Sequence, residues 1–112
     1  MTDTNIKNLP AGRYFTEIGY SQSYPWVVID ESASGKTVTV AKVEVAADPD
    51  WKPEFYTGGF AAHCANQSEQ TWLYAGVNMS VTKKVRLTKK GWTSKGTRFV
   101  ADRAREFYDY NF

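Results

Sequence analysis

The only histidine of the chain stands beside its only cysteine, as His63-Cys64. A thiol next to an imidazole suggests a nucleophile with its base. Neighbouring residues on a strand point to opposite faces, however, so these two do not serve each other. Cys64 is flanked by Ala61, Ala62 and Ala65 and reads as a small buried hydrophobe. A zinc site wants three or four nitrogen and sulfur ligands, and the chain offers one of each. No metal, no cofactor and no catalytic residue is therefore expected, and the protein reads as a binding module before an enzyme. His63 is the one residue around which a small hydrolase or transferase would have to be built.

Two other groups of residues carry chemistry. Asn66, Gln67 and Gln70 present amides that suit base edges or ribose hydroxyls, or else form a polar loop that satisfies its own backbone. The other group is basic. Residues 1–69 hold nine acids against five bases, whereas residues 70–101 hold seven bases (Lys83, Lys84, Arg86, Lys89, Lys90, Lys95 and Arg98) and no acid. The formal net charge of +2 thus hides one strongly positive stretch, which implies a positive face and an anionic partner. With Trp92 inside this stretch and Trp72 and Tyr74 nearby, the composition is that of charge plus stacking, as used on single-stranded nucleic acid or nucleotides. A lysine-rich strand also protects a sheet edge, which is the plainer reading. Neither GxxxxGK[ST] nor GxGxxG occurs. The expected ligand-binding set is Asn66, Gln67, Gln70, Trp72, Tyr74, Lys84, Arg86 and Trp92. Two acidic groups, Asp48 with Asp50 and Glu54, and Asp102 with Glu106 and Asp109, have no spacing suited to acid–base or metal chemistry and read as solvated loops.

These residues have to be positioned by strands. At 112 residues the chain makes one domain, and its 15% aromatic content favours pleated, half-buried surfaces. Residues 12–20 predict a first strand. Residues 26–29 and 37–45, joined by the turn-forming DESASGK, predict a hairpin. Val38 and Val40 share one parity while Val43 and Val45 take the other, which predicts a bulge near Ala41-Lys42. Strands are also expected at 54–56 and 60–63 around Gly58-Gly59, at 71–75, at 81–88 with a basic outer face, and at 96–100. A helical turn is expected within 101–107, and the aromatic end from Tyr108 onward is expected to pack back on the domain. Short strands at regular spacing without a helical period predict an all-β fold, a small SH3-like barrel or a strongly bent antiparallel sheet. Residues 1–11 read as a flexible lead and 12–112 as the single domain. No apolar run approaches the length of a membrane span, and the N-terminus shows no basic segment leading into an apolar one. One cysteine implies no disulfide framework. A cytoplasmic location is expected, with no membrane partner.

Several segments together resemble a family of small accessory proteins encoded by tailed bacteriophages. They are Tyr24-Pro25-Trp26-Val27-Val28, Ser34-Gly35-Lys36-Thr37-Val38, Trp51-Lys52-Pro53-Glu54-Phe55, Gly58-Gly59-Phe60, His63-Cys64-Ala65-Asn66-Gln67, Gln70-Thr71-Trp72, Arg86-Leu87 and the run from Arg105 to Phe112. The resemblance spans residues 20–112. It brings no activity with it, so no functional residue is carried over. It implies a setting in an infected bacterial host, where the partner is a nucleic acid, a nucleotide-like immune signal or a host protein. The function expected is binding of an anionic ligand, nucleic acid or nucleotide-like, through a basic, aromatic-flanked sheet face. The alternative is an inhibitor or adaptor of a host defence factor that binds through its aromatic C-terminus or a sheet edge. A homo-oligomer is compatible with so small and aromatic a domain.

Overall fold

Valine and threonine alternate from Thr37 onward, and β-branched side chains of this kind favour the pleated backbone. The protein was analysed as a computed structural model that describes residues 3–58 and 61–109, the side chains of residues 3, 56–58 and 61–63 excepted. The strands are β1 (Asp3–Thr4), β2 (Ile6–Lys7), β3 (Tyr14–Ile18), β4 (Ser23–Glu31), β5 (Thr37–Ala47), β6 (Phe55–Gly58), β7 (Ala61–Cys64), β8 (Trp72–Thr88), β9 (Gly91–Ser94), β10 (Thr97–Ala101) and β11 (Arg103–Ala104). Six of them, in the order β8-β5-β4-β3-β10-β9, pair antiparallel, and β9 pairs back on β8 to close a barrel. The expected all-β barrel is the fold that forms. Closure removes most of the free strand edges that an open sheet leaves exposed.

The valine alternation works on both faces of β5. Val38 and Val40 point into the barrel, where they pack with Phe15, Trp26, Val85 and Phe99, joined by Val28 and Trp92. Rings interlock there: Phe15 and Trp92 meet edge-on at 4.9 Å between centroids, and Trp26 and Phe99 at 6.3 Å. Burial of each such side chain stabilises the fold by about 1.5–3 kcal/mol, which makes this interior the main source of stability. Val43 points the other way, into a second core with Ile6, Tyr14 and Ala104 on the outside of the sheet. A register shift does fall between Ala41 and Lys42, as the change of parity predicts. The extra residues belong to β8, however, where Met79, Ser80 and Val81 have no partner on β5. The apolar pattern changes parity because both faces of β5 are covered, not because the strand turns over. A second shift sets Glu44 opposite Ala75 and Gly76, and Gly76 takes a φ of 111° that favours glycine.

The chain's two ends build the outer core. The lead expected over 1–11 is part of the fold from Asp3 onward. β1 runs parallel to β11, β2 runs parallel to the start of β8, and Ile6 is buried. The physical reason is that the outer face of β3–β5 carries Tyr14, Val27 and Val43 and needs an apolar cover. The helical turn expected within 101–107 does not form. Asp102 adopts φ 59°, which breaks a right-handed helix, and Arg103–Ala104 pairs as β11 instead. The single helical element among the described residues is a 3-10 turn at Gln67–Glu69. Phe107 exchanges two backbone hydrogen bonds with Ser23, and of the aromatic end expected to pack back, the Tyr108 backbone is bonded to the Gln70 side chain. Asp48, read from the sequence as solvated, is buried. Hydrogen bonds from Lys7, Thr71 and the Asp50 N–H hold its carboxyl down to about 2.

A basic cleft at the barrel seam

The alternation of residues 81–88 places Thr82, Lys84, Arg86 and Thr88 on the outer face of β8, away from buried Val85. β8 and β9 pair only from Arg86–Thr93 to Thr88–Gly91. Before Arg86 the two strands separate, and the seam opens into a cleft of about 740 Å³. Its cations are Lys83, Lys84, Arg86 and Lys95. Its hydroxyls come from Thr82, Thr88, Thr93, Ser94 and Thr97, and among the described residues no carboxylate lines it. Ammonium and guanidinium groups donate only, while the hydroxyls supply neutral donors, so the whole lining is suited to an oxyanion. Among the described residues no carboxylate forms an ion pair with Lys84, Arg86 or Lys95. Paired cations are found elsewhere, as in Arg13 with Glu31 and Asp102.

Lys83 is the exception within the cleft. Its side chain shares the parity of the interior, and its ammonium donates to Glu17 Oε2 at 2.9 Å. Glu17 Oε1 accepts the Trp26 indole N–H at 3.0 Å, and Lys83 Nζ lies 5.1 Å from the centre of the Trp26 ring. Lys42 Nζ stands 5.2 Å from the Tyr24 ring and 5.8 Å from that of Trp26. This end of the barrel interior is therefore charged, in contrast to the apolar middle. Burial lowers the pKa of Lys42, countered by the charges of Glu106, Glu44 and Glu17. Burial pushes the Glu106 carboxyl up to about 7, with Lys42 opposing that shift and Glu44 adding to it.

The raised Glu106 gives a measurable pH dependence. Folded Glu106 holds its proton to higher pH than the unfolded chain, whose ordinary value is 4.5. The stability it contributes is fully present below about 4.5 and is lost as pH rises through about 7. After screening by water at this half-open position, the loss is about 1–2 kcal/mol. Urea titrations at a series of pH values check it: the parent loses stability across this window, and Glu106→Gln removes that slope.

The eight residues expected to bind ligand do not form one site. Lys84 and Arg86 line the cleft together. Trp92, two residues along the strand from Ser94, turns its ring into the barrel against Phe15 instead of offering it to a ligand. Trp72 and Tyr74 pack on the outer core, beside Ile6 and Tyr14. Gln70 is 1% exposed, and its amide is fully engaged. Its Nε2 donates to the carbonyls of Gln67 and Tyr108, while its Oε1 accepts from Trp72 Nε1 and the Tyr108 N–H, each at 2.9 Å. Asn66 closes the base of the β6–β7 hairpin, accepting from the Glu54 N–H at 2.8 Å and donating to the Lys52 carbonyl at 2.9 Å. The Gln67 carbonyl caps the same turn through Gln70. The plainer reading of this loop, polar side chains satisfying local backbone, is what these bonds describe.

Sequence reasoning missed Lys95 and the hydroxyls as members of the cleft. The basic count included Lys95, but nothing local to it shows that the β9–β10 turn faces β8. Cys64 is buried and its thiol donates to Asn66 Oδ1 at 3.4 Å. The hydrolase alternative depends on the His63 side chain, which lies outside the described residues. The far aromatic end, residues 110–112, lies outside them as well. Among the described residues no helix is long and apolar enough to cross a membrane. No family model matches the chain, and no curated protein or solved structure matches it either.

Proposed function

We propose that the protein is a phage-type cytoplasmic binding module for an anionic ligand, nucleic acid or nucleotide-like, which it takes up in the cleft between β8 and the β9–β10 turn. The observation that supports this reading is the lining: among the described residues it holds four cations and five hydroxyls and no carboxylate, and three of the cations, Lys84, Arg86 and Lys95, stand outside the ion pairs that hold Lys7, Arg13 and Lys83. Solvated lysine strands usually have acids among them, because like charges left together repel. A cleft that gathers Lys84 and Arg86 on one strand and Lys95 on a turn, none of them paired with a described carboxylate, fits an external anion. Lys84 and Arg86 are the residues carried over from the sequence expectation, with Lys95 added to them. The amide loop and the tryptophans are structural in this reading.

The test is binding over a series of salt concentrations, with a labelled single-stranded oligonucleotide and a labelled nucleoside triphosphate as probes. With three unpaired cations, an oligonucleotide in the cleft should lose affinity with a log–log slope of about −2 to −3. Affinity that does not change with salt, or no binding of either probe, removes the proposal.

A further inference from the structure

We infer that the cleft takes a compact polyphosphate group, carried by a nucleotide or present as inorganic oligophosphate, and that Lys95 at the tip of the β9–β10 turn is one of the cations that bind it. The inference rests on the anion-binding reading and narrows it. Its first ground is the backbone of the turn. Ser94 pairs with Thr97, so the loop between β9 and β10 is only Lys95-Gly96, and both residues have positive φ, 48° and 85°. That is the geometry of a two-residue hairpin turn whose preferred first residue is asparagine, aspartate or glycine. Among the described residues, three non-glycine positions have positive φ: Asn8, Asp102 and Lys95. The first two are residue types that tolerate this conformation, and lysine is not. A lysine whose backbone is strained and whose side chain lines the cleft, at a position where asparagine folds more easily, points to a role beyond folding.

The second ground is the shape and chemistry of the lining. About 740 Å³ falls in the range of small-molecule sites. Among the described residues no aromatic side chain lines the cleft, and Trp92, next in sequence to the lining Thr93, is committed to Phe15. A chain of single-stranded nucleic acid is gripped by stacking successive bases on exposed rings along a basic track. Here recognition falls on charge instead: Lys84, Arg86 and Lys95 converge from two elements, with threonine hydroxyls between them. Three cations without carboxylate partners match a di- or triphosphate far better than a single phosphate monoester. Lys83 adds little to the attraction while Glu17 neutralises it.

Calorimetric titration with tripolyphosphate, ATP, AMP and a short thymidine oligonucleotide tests the inference. Tripolyphosphate and ATP should bind with similar affinity, AMP at least about tenfold more weakly, and the oligonucleotide more weakly than ATP. Lys95→Asn should weaken tripolyphosphate binding about tenfold while its thermal midpoint equals or exceeds that of the parent. That pairing is one a merely structural lysine would not produce. If the oligonucleotide binds and tripolyphosphate does not compete with it, or if Lys95→Asn leaves polyphosphate affinity unchanged, the inference is overturned and the broader anion-binding reading stands. If none of the four probes binds, both fall.

Discussion

Replacing Lys84 and Arg86 together by glutamate is expected to reduce anion binding by on the order of a hundredfold or more, with the fold intact. Each residue offers charged hydrogen bonds of about 1.5–3 kcal/mol to an oxyanion, and the substitutions add repulsion where attraction stood. Both side chains are exposed on the outer face of β8. Exposed substitutions of this kind usually change stability by no more than about 0.5 kcal/mol. The far-ultraviolet circular dichroism and the thermal midpoint should therefore stay near those of the parent while titration loses its signal. A double variant that still binds polyphosphate or oligonucleotide normally would place the site elsewhere. Neutral partners distinguish charge from shape: Lys84→Gln with Arg86→Gln should give an intermediate loss and a shallower salt dependence.

Gln70→Leu is expected to destabilise the protein by about 3 kcal/mol without touching the cleft. Leucine has similar bulk but removes the amide that bonds the Trp72 indole N–H and the Tyr108 N–H and carbonyl. A buried polar group left unsatisfied costs about 1–3 kcal/mol, and the groups here act together. Asn5 makes the neighbouring connections: its side chain donates to the carbonyls of Gln70 and Glu106, and its own carbonyl accepts from the Trp72 N–H. These two amides join the N-terminal segment, the start of β8 and the C-terminal segment. Urea unfolding monitored by tryptophan fluorescence would show the loss as a lower midpoint. A Gln70→Leu protein with unchanged stability and impaired anion binding would restore this residue to the binding set.

The two variants divide the chain's polar chemistry into parts that look alike in sequence. A run of amides next to aromatic residues is compatible with a readout loop and with a structural clamp. Gln70 is a clamp because the Tyr108 backbone, 38 residues away, arrives beside it. No local pattern announces that meeting. Trp92 is similar, since its place in a basic stretch suggests stacking on a ligand while the closed barrel gives it Phe15 as a partner. Glu106 reads as a solvated acid in its own segment. In the folded protein it is half-buried, and its carboxyl feels the charges of Lys42 and Glu44 on β5, much earlier in the chain.

The amino-acid sequence by itself determined the all-β class, the β4–β5 hairpin and the basic face of β8. Each of these follows from alternation, turn chemistry or charge within a few residues, and short-range patterns express such features directly. Only the tertiary structure decided that both faces of β5 are buried, that residues 3–10 cover the outer core and that the basic strand borders a cleft. These depend on where β9 stops pairing with β8 and on which distant segment covers which face. Register across a barrel seam is a property of the closed sheet, set by the pairing of residues far apart in the chain. The positive stretch was therefore readable from charge alone, while the cleft that gives it a ligand-sized shape exists only once the barrel has closed.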